Sequence, residues 1–292
     1  MAKQVDIVIA GFQKAATSSL KNYLGQHPRI LTHGEKEFTF FVMDDEYSAG
    51  YERSFDKFFP NPDLSKKILI KNVGIIFNED AIQRLHKHNP QAKIIVVLRN
   101  PVNRAYSAYW YAVMRGYENA QTFESALEAG TERFETKLNR QMVDYLGQGD
   151  YVSQINILSN YFKAPQVKII LSEDLKNNSE NLFHELFEFC EIDSSFKPDL
   201  IQKFNASGKS RIPALAKMMR QKNLAKIVLR KLVPDKLRFH IRVRLNKINK
   251  KEFTPPPINP DTKKKLIEHY KPMVKELSVL INRDLSQWIH PD

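Results

Sequence analysis

The first chemistry this chain offers lies between Gly11 and Leu20, which reads Gly-Phe-Gln-Lys-Ala-Ala-Thr-Ser-Ser-Leu. The apolar, β-branched run Val5 to Ala10 ahead of it has the composition of a buried strand. Gly11 ends that strand, and Leu20, Tyr23 and Leu24 recur at helical spacing behind the hydroxyls Thr17, Ser18 and Ser19. A strand that breaks at glycine and re-enters a helix through Ser and Thr gathers several backbone N–H groups and the positive end of a helix dipole at one point. Phosphate or sulfate is the usual guest there. An ordinary turn with a Ser/Thr cap reads the same way. A Walker A loop does not: it needs Gly-Lys-Ser/Thr in succession, whereas Lys14 sits inside this loop, three residues before Thr17.

Two further cations follow strand candidates. Lys71 closes Lys67-Ile-Leu-Ile-Lys71, and Arg99 follows Lys93-Ile-Ile-Val-Val-Leu98. Pro101 is placed to start a helix, on which Ser107 stands about two turns past Arg99. A fourth strand is expected at Gln166 to Leu171, and helices at Ser54 to Phe59, Asp80 to His88, Gln154 to Phe162, Ser179 to Cys190 and Asp261 to about Asn282. Strands alternating with helices predict an α/β fold, a three-layer sandwich around a mainly parallel sheet. In such sheets ligands bind outside the carboxyl ends of the strands, where Lys14, Lys71 and Arg99 would converge. Gly34-Glu-Lys-Glu-Phe-Thr-Phe-Phe41 looks like a loop anchored by Phe38, Phe40 and Phe41, with Glu35, Lys36 and Glu37 at its mouth. A solvated charge cluster before a core strand is the alternative.

The 292 residues suffice for one large α/β domain, or a domain with an appended module. The single Cys190 excludes a disulfide framework and a Cys-based zinc site, and its apolar neighbours predict a buried helical thiol. No apolar run approaches the roughly 18 residues that span a bilayer. The N-terminus runs straight into the first strand, so a cytoplasmic setting is expected. The net charge of +12 is uneven: Lys209 to Lys251 holds fifteen Lys/Arg against the one acid Asp235, a net +14, which leaves about −2 for the remainder. That segment has a helical pattern from Pro213 to Lys250, broken at Pro234, and a Pro-rich linker follows at 254–260.

Two of these segments together resemble the sulfotransferases that use 3′-phosphoadenosine 5′-phosphosulfate. Gly11 to Leu20 is similar to their 5′-phosphosulfate loop, and Leu98-Arg99-Asn-Pro-Val-Asn-Arg104-Ala-Tyr-Ser107 to their 3′-phosphate segment. The likeness continues through Gly149-Asp-Tyr151, Ser172-Glu-Asp-Leu175, the loop Asn205 to Arg211 and the closing Asp284-Leu-Ser-Gln-Trp288. Lys36-Glu37-Phe-Thr-Phe-Phe41 resembles a Lys-Glu-x-His-Phe-Phe segment of the heparan-sulfate-type branch, and Lys71 matches that branch's strand-end Lys. Three positions depart from the pattern. Ala16 replaces a glycine, Thr39 a histidine, and Asn72-Val73 a Ser/Thr-Pro pair.

The resemblance implies a P-loop NTPase-like fold, a single domain over 1–292, and a basic helical portion at 205–292 acting as lid or acceptor-side subregion. It implies in-line sulfuryl transfer to a hydroxyl or amine of a small metabolite or saccharide, with adenosine 3′,5′-bisphosphate leaving and no metal required. Gly11, Gln13, Lys14, Ala15, Ala16, Thr17, Ser18 and Ser19 would hold the 5′ side of the donor, and Arg99 and Ser107 the 3′-phosphate. Gly208, Lys209 and Arg211 would close over the nucleotide. Lys14, Glu37 and Lys71 would be catalytic, with Glu37 the base and His33 its rival. Glu37, Phe38, Phe40, Phe41 and Lys71 would face the acceptor. A nucleotide kinase or non-catalytic nucleotide-binding module is one competing reading. A nucleic-acid or anionic-surface binder acting through 209–251 is another, although no nucleic-acid partner is expected and membrane contact would be peripheral.

Overall fold

The computed structural model describes residues 2–34, 37–134, 137–200, 208–210 and 250–290. The chain divides into two compact units. The first comprises Met1–Arg104, Gly147–Asn205 and Lys264–Asp292, and the second Ala105–Leu146 and Ala206–Lys263. The closing stretch after the basic segment therefore returns to the first unit.

The first unit is built on five parallel strands: β1 (Ile7–Gly11), β2 (Ile30–Thr32), β3 (Lys67–Lys71), β4 (Lys93–Leu98) and β5 (Val167–Leu171). Their order across the sheet is β2-β3-β1-β4-β5. Every residue of β1 is buried, so both faces of the sheet are covered, as expected of an α/β layer fold. Because all pairings are parallel, the loops leaving β1, β3 and β4 open at one edge. A register shift between Ile9 and Gly11 in the β1–β4 pairing bends the ladder at that edge.

Helices α1 (Thr17–Leu24), α2 (Asp44–Ser48), α3 (Tyr51–Phe58) and α4 (Glu79–His88) fill the connections up to β4. Helix α5 (Pro101–Arg115) starts at a proline behind Asn100, whose Oδ1 accepts from the N–H groups of Val102 (3.0 Å) and Asn103 (3.2 Å). Helices α6 (Phe123–Glu128) and α7 (Lys137–Val143) belong to the second unit, and α8 (Tyr151–Ser159), α9 (Asp174–Asn177) and α10 (Ser179–Phe189) to the first. Cys190 caps α10, buried, and burial pushes its thiol up to about 12. The closing helix Pro260–Leu280 sets Tyr270 against Gly149, where any Cβ would come within 2.6 Å of the tyrosine ring. No helix among the described residues is long and apolar enough to cross a membrane.

In the second unit Glu118 is the organiser. Its buried carboxylate accepts from both terminal nitrogens of Arg133 (2.9 and 2.7 Å), from Tyr145 Oη (2.8 Å) and from the N–H groups of Asn119 (2.8 Å) and Ala120 (2.7 Å). A buried carboxylate with its lone pairs occupied, paired with a partly exposed guanidinium, makes a rigid anchor.

Expected and observed elements differ at their ends and at the short strands. The helix expected from Gln154 begins at Tyr151, because Asp150 accepts from Ser153 N–H as its cap. Strand β2 was not foreseen, since three residues show no periodicity. Lys250, expected at the end of a helix, lies instead in a strand, β7 (Lys250–Glu252), antiparallel to β6 (Gly208–Ser210). The helical pattern at 213–249, and with it the lid and surface-contact expectations, lies outside the described residues.

Candidate active site

The loop after β1 is held from below by its apolar members. Phe12 and Ala15 have no exposed surface, and Gln13 has 9%. Phe12 N–H donates to Val97 O (2.9 Å), and its ring packs on Tyr151 (4.5 Å) and Phe77 (5.2 Å). With those side chains turned into the core, the backbone and Lys14 remain to meet a ligand. Lys14 and Ala16 both adopt left-handed backbone angles (φ 69 and 64), a conformation that costs an L-residue with a Cβ about 1–2 kcal/mol. The glycine expected at position 16 is thus a conformational requirement that this chain meets under strain. Ala16 is also the residue preceding α1, and no side chain caps the helix there. Its first-turn amides and the positive end of its dipole lie where the sequence places an anion site. Gly11 answers to a different constraint, since a Cβ there would stand 2.9 Å from Ile76 Cγ2. Its small size serves strand packing.

Arg99 follows β4 and donates from Nη1 to Lys14 O (2.9 Å), tying the end of β4 to the loop after β1. Burial lowers its pKa, and the nearby Glu173 partly offsets this. A guanidinium keeps its charge through such a shift. Behind it, Tyr151 Oη donates to Arg99 O (2.7 Å), and Asn100 Nδ2 donates to Trp288 O (3.4 Å). Asp174 accepts from Leu171 N–H (3.0 Å) and from Arg283 Nη2 (2.9 Å). The segments 149–151, 172–175 and 283–288 therefore assemble as the support of the Arg99 corner. Ser107 lies on α5, half-buried and in the second unit. Gly208 and Lys209 lie in β6, where the backbone pairing is described, while Arg211 and Lys36 fall outside the described residues.

The end of β3 forms the second corner. Lys71 is 2% exposed, and its ammonium donates to Glu37 Oε1 (2.5 Å) and to Ser18 Oγ (3.2 Å) in the first turn of α1. Glu37 Oε2 accepts from Val73 N–H (3.1 Å). The Glu37 side chain keeps 32% exposure, so the carboxylate is both fixed and reachable. Asn72, where a Ser/Thr was expected, donates from Nδ2 to Phe38 O (2.8 Å) and accepts from Gly74 N–H (2.7 Å), shaping the turn without a proline.

Two expectations need correction. Phe38, Phe40 and Phe41 are 0, 4 and 0% exposed and pack with Phe58, Tyr47 and each other. They anchor the Glu37 loop and offer no surface to an acceptor. His33, the rival base, is 2% exposed, and its Nε2 already accepts from Lys71 N–H (3.1 Å). Thr39 turns away as well, donating to Glu46 Oε2 (2.6 Å). Sequence reasoning overlooked Lys21, 6% exposed, which donates to His33 O (2.6 Å), and Arg104, which has no exposed surface and donates to Gln148 Oε1 (3.3 Å). A lone basic residue on an amphipathic helix carries no signal that it is buried.

Residues 4–226 match the sulfotransferase domain family. Among curated proteins, the bifunctional heparan sulfate N-deacetylase/N-sulfotransferase 1 of Xenopus laevis is 28% identical over 198 residues, covering 64% of this chain and 22% of that protein. The corresponding enzyme 3 of Homo sapiens is 29% identical over 195 residues, with 63% and 22% covered. The chain thus spans about a fifth of the length of the curated relatives it matches. A sulfotransferase from Alicyclobacillus acidocaldarius shares the fold, with a TM-score of 0.69 at 24% identity over 99% of this chain and 100% of that one. This chain belongs to the sulfotransferase domain family, whose sulfuryl donor is 3′-phosphoadenosine 5′-phosphosulfate (PAPS).

Proposed function

We propose that the two corners form the donor and acceptor sides of one transfer site, and that the acceptor is a saccharide or small metabolite bearing a hydroxyl or amine. The observation that carries this reading is the Lys71 ammonium, which touches Ser18 on the anion-site helix and Glu37 on the exposed side. Sulfuryl transfer needs little covalent work from the protein, so positioning and charge stabilisation dominate.

In this reading the first-turn amides of α1, with Thr17, Ser18 and Ser19, bind the donor's 5′-phosphate. Arg99 takes the 3′-phosphate. Glu37 accepts the proton of the acceptor O–H or N–H as the new O–S or N–S bond forms. Lys14 stands against the oxygen that bridges sulfur and phosphorus, and neutralises the charge left there when that S–O bond breaks. Adenosine 3′,5′-bisphosphate departs.

The named activity of the heparan sulfate relatives supports a saccharide amine as the first acceptor to try, although the chain matches only a fifth of their length. We place the reaction in the cytoplasm, which suits a chain whose single cysteine is buried and unpaired. A transfer assay with sulfur-labelled PAPS against N-unsubstituted glucosamine oligosaccharides, other glycans and metabolite fractions tests the reading. Labelled product and stoichiometric adenosine bisphosphate are expected. Magnesium-dependent phosphoryl transfer from ATP, with no sulfated product from PAPS, would overturn it.

A further inference from the structure

Strand β3 outruns its edge neighbour. Pairing with β2 ends at Thr32 opposite Leu69, whereas β3 continues to Lys71. On its other side, β3 is carried on by Asn72 N–H, which donates to Ile9 O (3.1 Å). The N–H of Lys71 faces the side that β2 has already left, where no β2 carbonyl remains to receive it. His33, the residue after β2, supplies the acceptor from its side chain: Nε2 stands 3.1 Å from Lys71 N. An imidazole that accepts at Nε2 is neutral and carries its proton on Nδ1. The same residue is held through its backbone, because Lys21 on α1 donates to His33 O at 2.6 Å. One buried residue thus joins the helix that forms the anion site to the strand end that presents Lys71.

We propose that His33 is a positioning residue for the transfer step. By taking the Lys71 N–H it sets where the Lys71 ammonium stands between Ser18 Oγ and Glu37 Oε1, and so where the base points. This rests on the reading that Glu37 takes the acceptor's proton. An unmet backbone donor at this point would let the end of β3 seek another partner. The lysine would then shift by tenths of an ångström, in a reaction whose rate depends on such distances.

The test compares His33→Gln, whose amide oxygen can stand near the Nε2 position, with His33→Leu, which fills similar space and accepts nothing. Turnover with PAPS and an N-unsubstituted glucosamine oligosaccharide is measured alongside adenosine bisphosphate affinity by calorimetry and melting temperature. His33→Leu should lower kcat about 10- to 100-fold while KM and Kd stay within about threefold, and His33→Gln should return most of the loss. Unchanged kcat in His33→Leu, or equal losses in both variants that follow melting temperature, would overturn the proposal. Amide hydrogen exchange at Lys71 separates this from the functional reading. If the wild-type chain sulfates no acceptor, that reading fails, and Lys71 exchange as slow in His33→Leu as in wild type overturns the positioning role independently.

Discussion

The loop after β1 and the corner at the end of β3 are set by adjacent strands of one sheet, and they handle charge in opposite ways. The loop works through its backbone. Its side chains are mostly buried, its helix start has no side-chain cap, and two residues with Cβ atoms are held in left-handed geometry. The corner works through side chains: a buried lysine fixes one carboxylate oxygen and a backbone N–H fixes the other. An anion site must leave donors available for its guest, whereas a general base must stand at one place when the proton moves. The same sheet edge therefore carries strain on one side and saturation on the other.

The largest effect that separates the two sides is on turnover. Glu37→Gln preserves shape but removes the base, and kcat should fall about 10³-fold with adenosine bisphosphate affinity unchanged. Lys14→Ala should lose turnover about 10²-fold by exposing the leaving oxygen's charge. Near-normal turnover in the first variant would remove Glu37 from the base role.

An acid-sensitive group outside both corners must be separated from catalysis. His88 Nε2 accepts from Val5 N–H (3.1 Å), and burial lowers its pKa to about 4 from 6.5. As pH falls through 6.5 the unfolded chain takes the proton first, so stability is complete above that pH and is lost toward 4. The loss should be about 2 kcal/mol, below the value for a fully buried group because His88 is partly solvated. Urea midpoints from pH 7 to 4 should fall less in His88→Gln, and identical slopes would exclude His88 as the cause.

Arg99→Ala probes the donor side alone. Adenosine bisphosphate should bind about tenfold more weakly by calorimetry, since one charge-assisted contact and the tie to Lys14 O go together. An unchanged Kd would sink the assignment to the 3′-phosphate. The smallest change is Ala16→Gly. Relief of the left-handed strain, offset by glycine's greater freedom when unfolded, should raise stability by about 0.5–1 kcal/mol in a denaturant titration. A lower midpoint would show that the loop is not strained at Ala16.

Much of this was legible in the residues. The expected strands Lys67–Lys71 and Lys93–Leu98 have the observed ends, because each is a run of apolar residues bounded by charge. The placing of Lys14, Lys71 and Arg99 at strand ends followed from residue order. The anchoring of the Glu37 loop by Phe38, Phe40 and Phe41 was legible too, but not that their burial is complete enough to deny them to an acceptor, since hydrophobicity predicts contact with something but not with what.

Sequence by itself determined the four long strands of the sheet, the placing of Lys14, Lys71 and Arg99 at strand ends, and the family likeness. All of these depend on local composition and spacing. Only the tertiary structure decided that His33 is an acceptor for a strand that its neighbour fails to cover, and that Lys71 spans Ser18 and Glu37. Those facts depend on where one strand stops relative to another, a register that pairing across the sheet sets and that no run of residues records.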